Sequence, residues 1–506
     1  MRLFALLRRR NALLVGALLA CALLVRVDGI TRPSISAREL YGGLLARQYY
    51  YGDGAGLSAQ KREVVRQLGT SFSPIEPPVM NLASAAAFEL TGENLWVPRL
   101  FSVVFWVIGG VFLYAIAVRL ASSGGALVGL ALYLFWPFGV SISRRGMPDA
   151  PMIALLLAAS LCVIRYWERP SPRRLLIAAI VSSFATAAKP GVAGIFLVML
   201  FTALALSQRR LVESVVRGRF PLFVLVASAV SAAYYVYGTY VHHFLAGESD
   251  GRIAPHALVE GWYWRGWWSM ISTSLPFPQH QRALALVPLA AGAAGIVLAR
   301  RGIPRAVLVG LSLGYVVLGL VFTLHISTHP YYSLPLVAIL SLAIATLAGF
   351  LLDRPSAAAR GVLVGVFLVA MAGVVYKDSR VVVGENPRQR IADYRRIGDL
   401  TGHTPHALVI DPYLKSPISY WGWMVARYWY EPSPAADLGP ASAASPLHLP
   451  GRFDYLVVMQ TSELRTEPRL RELTRSLQVV ARTSRYAIFD LRSRRENTAI
   501  RTRAGT

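Results

Sequence analysis

Apolar runs of about 20 residues, nearly free of charge, recur along the chain from residue 11 to residue 376. Each run is long enough to cross a hydrocarbon core of about 30 Å as a helix. Lipid offers no hydrogen bonds, so such a segment must satisfy its own backbone, and repeated runs of this length read as helices. The chain is therefore expected to be mainly α, a polytopic helical membrane protein. Its composition agrees: 16% of the residues are charged, against about 25% in a soluble globular chain.

The net charge of +25 does not point to nucleic acid. Many of the arginines flank apolar spans, as the positive-inside rule expects, and no zinc-finger spacing accompanies them. The two cysteines, Cys21 and Cys162, lie inside apolar runs, which excludes a disulfide framework or a cysteine metal site. Leu18-Leu19-Ala20-Cys21 is similar to a lipoprotein cleavage box. The apolar run continues through Val25, so the segment reads as an uncleaved anchor.

About eleven spans are expected, near 11–27, 96–119, 124–142, 149–166, 174–188, 191–207, 220–241, 284–300, 305–324, 332–352 and 359–376. The two around Lys189-Pro190 read equally well as one broken helix. Arg8-Arg9-Arg10 before the first span puts the N-terminus in the cytoplasm. The connections then assigned to the cytoplasm carry Arg169, Arg173, Arg174, Arg209, Arg210, Arg300, Arg301, Arg354 and Arg360, and only the turn at 122–125 lacks a base. An odd span count places the C-terminal part outside. Residues 1–376 form the transmembrane module, with external loops at 28–95 and 242–283. Interfacial helices are expected at Ser36–Tyr51 and Pro78–Leu90. Residues 377–492 form a small extracytoplasmic α/β domain, with strands at 406–411, 455–459, 477–481 and 486–491 and helices at 389–400 and 463–473. The tail 493–506 is polar and expected to be disordered.

Charge at membrane depth is expensive, so ionisable residues at one edge mark a site. The external edge collects Arg26, Asp28, Arg38, Glu39, Arg47 and Glu76-Pro77-Pro78. It also collects Arg144-Arg145-Gly-Met-Pro-Asp149, Lys189 and His325-Ile-Ser-Thr-His329-Pro-Tyr331-Tyr332. Each residue has a bland reading: headgroup anchors for Arg144 and Arg145, a helix cap for Asp149, snorkelling for Lys189, a loop carboxylate for Glu76, a solvated face for Glu39, packing for His329 and an aromatic belt for the tyrosines. Together they fit sugar transfer from a lipid phosphate. That chemistry needs cations for the phosphate leaving group and a carboxylate to take a proton from an acceptor hydroxyl. His242, His243, Trp262, Trp264, Trp267 and Trp268 in the 242–283 loop either stack on sugar rings or form an interfacial belt.

The order of these segments resembles the GT-C superfamily of polyprenyl-phosphate-sugar-dependent glycosyltransferases, in particular glycosyltransferase family 39, protein-O-mannosyltransferase-like and aminoarabinose-transferase-like. Five segments carry the resemblance over about residues 10–350: Glu39-Leu-Tyr-Gly-Gly-Leu-Leu-Ala46-Arg47, Glu76-Pro77-Pro78 through Pro98-Arg99, Ser143-Arg144-Arg145-Gly-Met-Pro-Asp149-Ala-Pro, Ala188-Lys189-Pro190-Gly191, and His329-Pro-Tyr331-Tyr332-Ser-Leu-Pro335. The resemblance implies a GT-C fold. It implies a membrane enzyme, in the bacterial inner (plasma) membrane, that moves a monosaccharide from a polyprenyl-phosphate donor to an external hydroxyl with inversion.

Lys189, Arg144 and Arg145 would hold the phosphate. Asp149 would orient the sugar or the base, and His329, Tyr331 and Tyr332 would contact donor phosphate or sugar. Arg38 and Glu76 stand among the substrate-binding candidates. The family's base is an Asp after span one, usually in an Asp-Glu pair, whereas this chain reads Ser34-Ile-Ser-Ala-Arg38-Glu39. Glu39 is the nearest carboxylate, with Asp28 and Glu76 as alternatives. Some relatives use a divalent metal, but no His/Asp/Glu spacing here marks a metal site. The acceptor is a lipid, a glycan or a protein, and membrane lipids surround the chain. Two other readings stand beside this one: a transporter or flippase of a lipid-linked sugar, and a non-catalytic relative that binds one. Ionisable residues gathered at one edge, without a topological repeat, speak against transport.

Overall fold

The computed structural model describes residues 2–245, 253–276, 282–353, 387–428, 453–466 and 468–492, together with residues 367, 371 and 373. The chain divides into two compact units. The first takes Met1–Ile30, Ile75–Val79 and Trp96–Gly384; the second takes Thr31–Pro74, Met80–Leu95 and Glu385–Thr506.

The first unit is helical: α1 (Arg2–Val27), α5 (Trp96–Leu120), α6 (Ser123–Phe135), α7 (Pro137–Ser143), α8 (Asp149–Glu168), α9 (Pro172–Ala188), α10 (Pro190–Ser207), α11 (Leu211–Val216), α12 (Arg219–Val236), α13 (Gly261–Ser274), α14 (Leu286–Leu298), α15 (Ile303–Val321), α16 (Thr323–Thr328) and α17 (Leu334–Leu352). Among the described residues six helices are long and apolar enough to cross a membrane. They become seven if α6 and α7, bent by 52°, form one span. Pro137 explains that bend, because it removes the backbone donor that would continue α6. Helices also occupy the expected spans at 11–27, 174–188 and 284–300; the apolar stretches Asn11–Val27 and Arg282–Leu298 are shorter than that test requires. The expected span at 359–376 lies almost wholly outside the described residues.

These helices meet on small residues. A Cβ on Gly125 would strike the carbonyl oxygen of Ala345, and one on Gly129 would lie 2.8 Å from that of Ser341. Glycines four apart thus bring the backbone of α6 close to α17, the close approach that substitutes for a hydrophobic driving force in lipid.

The second unit contains α2 (Ala37–Tyr51), α3 (Ala59–Ser71), nearly all of α4 (Val79–Thr91), α18 (Arg388–Leu400), α19 (Lys415–Gly422), α20 (Glu463–Thr466) and α21 (Pro468–Arg475). Its sheet runs β2 (Ala426–Tyr428), β1 (Ala407–Ile410), β3 (Tyr455–Val458), β5 (Ala487–Asp490), β4 (Gln478–Arg482). The first three strands are parallel, and β5 pairs antiparallel with β3 and β4. In β1, β3 and β5 every residue is buried. Ala407, Val409, Tyr455, Val457 and Ile488 join one core cluster; Leu408, Ile410, Leu456, Val458 and Phe489 join another. Strand alternation therefore feeds two cores, one on each face.

The expected strands stand within a residue or so of those observed. Three elements of this unit were not expected: α3, β2 and α19. Strand β2 is only three residues long, and α19 carries Pro417 in its first turn. The sequence also assigned all of 28–95 to the transmembrane module, whereas most of that loop packs within the sheet unit. There α2 and α3 share a core of Leu40, Leu44, Val64, Leu68 and Phe72 with Tyr420 and Val425. The expected tail at 493–506 lies outside the described residues.

Candidate functional site

Two helices of the first unit end at Lys189. It closes α9 and precedes Pro190, which opens α10. Proline at the first helical position has no N–H to satisfy and favours an extended residue before it. Lys189 accordingly adopts φ −157°, ψ 88°. Asp149 begins α8, where an acid suits the helix dipole.

The two side chains meet: Lys189 Nζ lies 2.7 Å from Asp149 Oδ1, with side-chain exposures of 5% and 0%. The ammonium also sits 4.2 Å from the ring centre of Tyr332 and 4.8 Å from that of Tyr331, a cation–π arrangement. Asp149 Oδ2 is buried and has no hydrogen-bond partner among the described residues.

The aromatic wall continues from α16. The rings of His325 and His329 stack at 5.2 Å, His329 lies 5.3 Å from Tyr331, and His325 lies 5.4 Å from Tyr332. The Thr328 hydroxyl is 2.7 Å from His329 Nδ1. A cavity of about 250 Å³ opens beside this cluster, and Glu76, Lys189, Gly191, Tyr235, Phe322 and Tyr332 are among its walls. The Tyr235 hydroxyl donates to the carbonyl of Ile75 at 3.4 Å, tying the Ile75–Val79 segment to α12. Gly191 has a steric reason: a Cβ there would strike the Phe322 ring.

Of the residues singled out from sequence, Glu76, Asp149, Lys189, His329, Tyr331 and Tyr332 are thus brought together. Arg144 and Arg145 are not part of the cavity wall. The Arg144 guanidinium donates to the Asp28 carbonyl, and Arg145 is exposed. Glu39 and Arg38 belong to the second unit. Glu39 is buried in α2, and the Arg38 guanidinium lies 5.8 Å from the Tyr41 ring centre. Tyr235 and Phe322 are among the cavity residues that sequence reasoning left unmarked. Both sit in apolar runs, where nothing local separates a wall residue from a core one.

Arg26 also has a role that its place at a span end did not specify. Fully buried, it donates to Ser143 Oγ at 2.7 Å and to the carbonyls of Ala22 and Leu134, fastening α1 to α6 and α7. Among the described residues no three His, Cys, Asp or Glu side chains converge as metal ligands.

Residues 75–235 match the family model described as dolichyl-phosphate-mannose-protein mannosyltransferase. That stretch contains Glu76, Asp149, Lys189 and Tyr235. Comparison with proteins of curated function returns no match. Among solved structures, ArnT from Cupriavidus metallidurans in the apo state is similar over 94% of this chain and 97% of its own, with TM-score 0.61 and 15% identity. The same protein bound to undecaprenyl phosphate gives TM-score 0.59 over the same shares, at 15% identity. The Archaeoglobus fulgidus oligosaccharyltransferase, in complex with zinc and sulfate, covers 88% of this chain and 68% of its own, at TM-score 0.53 and 14% identity. The sequence resemblance and the mainly helical fold class are borne out, the number of spans apart: the chain shares the fold of ArnT and of the oligosaccharyltransferase, and its residues 75–235 match the dolichyl-phosphate-mannose-protein mannosyltransferase family model.

Proposed function

We propose that this multi-pass membrane protein is an inverting glycosyltransferase that moves a monosaccharide from a polyprenyl-phosphate donor to an acceptor hydroxyl. One observation carries the reading: a buried ammonium, held by one carboxylate oxygen and two tyrosine faces, forms the wall of a cavity that a second carboxylate, Glu76, also lines. In a site poor in water an ammonium offsets far more of the charge developing on a leaving phosphate than it would in bulk solvent. Asp149 acts through Lys189, fixing where that charge sits.

Glu76 takes the proton of the acceptor hydroxyl. The acceptor oxygen forms its bond to the anomeric carbon as the bond from that carbon to the phosphate oxygen breaks. The electron pair leaves with the polyprenyl phosphate, whose charge Lys189 balances. The hydroxyls of Tyr331 and Tyr332 and the imidazole of His329 would be further hydrogen-bond donors to that phosphate. The arginine-rich connections support an orientation with the N-terminus in the cytoplasm and the donor site at the outer face of a bacterial inner membrane.

Purified wild-type protein in detergent, given a lipid-linked sugar, is expected to turn over without a vesicle or gradient; transport alone would give no product. A panel of hexosyl and pentosyl donors identifies the sugar. Glu76→Gln is expected to lower kcat by about 10²-fold or more, as loss of a general base does. Glu39→Gln is the paired test. If it abolishes turnover while Glu76→Gln does not, the base is Glu39, as the family resemblance suggested.

A further inference from the structure

At the opposite ends of the same helices lies a second cavity that sugar transfer does not use. Helix α8 runs from Asp149 to Glu168, and at 1.5 Å per residue its two ends lie about 30 Å apart, the thickness of a hydrocarbon core. Around its far end a cavity of about 560 Å³ is walled by Arg119 from the last turn of α5, Arg165 and Glu168 from the last turn of α8, Arg169 just beyond it, and Arg174 from the first turn of α9.

Four guanidiniums therefore face one carboxylate. Arg119 Nε reaches Glu168 at 3.2 Å, and Arg174 donates to the Arg169 carbonyl at 2.9 Å. Arg165 and Arg169 have no ion-pair partner among the described residues. Beside the cavity, α9 turns Ile177, Ile180 and Phe184 outward, exposed by 44%, 43% and 61% and spaced along one helix face.

We propose that this cavity seats the phosphate of an anionic phospholipid, with an acyl chain lying along Ile177, Ile180 and Phe184. The depth favours a lipid over a free anion, because the ends of spanning helices are where headgroups lie and basic pockets between helices there recognise anionic ones. The guanidinium forks of Arg165 and Arg169 match two phosphate oxygens. Glu168 competes with the phosphate for Arg119.

The test titrates the delipidated full chain in detergent with phosphatidylglycerol, phosphatidylcholine or inorganic phosphate, and counts bound lipid by native mass spectrometry. Phosphatidylglycerol is expected to bind and phosphatidylcholine not to compete with it. Arg165→Gln and Arg169→Gln are each expected to weaken binding about fivefold, the factor one basic residue contributes near an anionic surface. Glu168→Gln is expected to tighten it severalfold. Equal binding of phosphatidylcholine overturns the proposal, as does undiminished affinity in the arginine variants. Displacement of the lipid by inorganic phosphate at matched concentration also overturns it, in favour of a free anion. Should the arginine variants fail to fold, Glu168→Gln decides: unchanged or weaker binding in that variant sinks the idea.

Discussion

Each unit buries a cation against a carboxylate, and the two pairs are built differently. In the sheet unit Arg47 Nε meets Glu93 at 2.8 Å, and a second nitrogen donates to the Tyr420 carbonyl at 2.9 Å. Its guanidinium lies 4.1 Å from the Tyr420 ring centre and 3.9 Å from that of Trp423. Burial and the Glu93 carboxylate push the Tyr420 hydroxyl well above its ordinary range, so it stays neutral. In the helical unit Lys189 has one charged partner and borders a cavity, and one oxygen of that partner is left over. Both cations are equally dry, so dryness does not distinguish function from structure. Residual bonding capacity beside empty space does.

The largest effect expected from that contrast is at Lys189. Lys189→Met removes the phosphate's countercharge and is expected to lower kcat/KM by about 10²–10³-fold. It also strands a buried carboxylate, a loss of about 3–5 kcal/mol in stability. The double variant Lys189→Met/Asp149→Leu separates the two consequences: melting recovers while turnover does not. Recovery of turnover would break the comparison, because the pair would then be structural like that of Arg47. Arg47→Met comes next, with a similar stability loss of about 3–5 kcal/mol from an unpaired Glu93 and unchanged kcat in the folded fraction. A melting curve and an assay at saturating donor check both.

How much of this contrast was visible in the sequence differs between the units. Apolar runs in lipid can do little but form helices, so the spans were legible wherever the runs were long; the bend between α6 and α7 was not, because a proline bends a span without shortening it. Lys189, Asp149 and Glu76 stood out because charge in an apolar context needs a reason. Their meeting was not legible, since it depends on α8, α9 and the Ile75–Val79 segment coming together, with Glu76 and Lys189 113 residues apart in the chain. The 28–95 loop was assigned by chain proximity, and its apolar residues turned out to face a core built partly from α19. A three-residue edge strand such as β2 has no periodicity to read.

A third prediction tests the framework that presents the site without touching it. Gly295 in α14 packs on α17, where a Cβ would collide with the Ala343 carbonyl and lie 2.9 Å from Thr346 Oγ1. The Thr346 hydroxyl already donates to the Gly295 carbonyl at 2.7 Å. Gly295→Ala is expected to lower stability by about 1–3 kcal/mol through overpacking, and to leave KM for the donor unchanged. A rise in KM equal to that of a cavity variant would mean that α14 and α17 shape the site itself.

The smallest effect is a pH dependence in the sheet unit. Asp411, at the end of β1, is fully buried and accepts from the Tyr394 hydroxyl at 2.6 Å and the Tyr413 N–H at 2.9 Å, with Arg390 at 3.4 Å. Burial nevertheless dominates and raises its pKa above the usual 3.8. The folded chain then holds that proton more tightly than the unfolded one. At neutral pH the fold bears the full penalty of a buried carboxylate, and as pH falls through the folded pKa toward 3.8 the penalty is relieved and stability rises. Asp490 works in the opposite sense, since its hydrogen bonds to Arg492 lower its pKa below 3.8. Its contribution is present above that value and lost only as pH falls further. The two windows therefore adjoin without overlapping. Asp411→Asn should flatten the upper window alone, read from hydrogen exchange of the β1 and β3 amides after correction for the intrinsic rate. An unchanged slope in that variant would mean that its partners already compensate the charge of Asp411 in full. The sheet unit would then contain two closed charged sites, and the contrast with Asp149, whose second oxygen stays open, would be sharper.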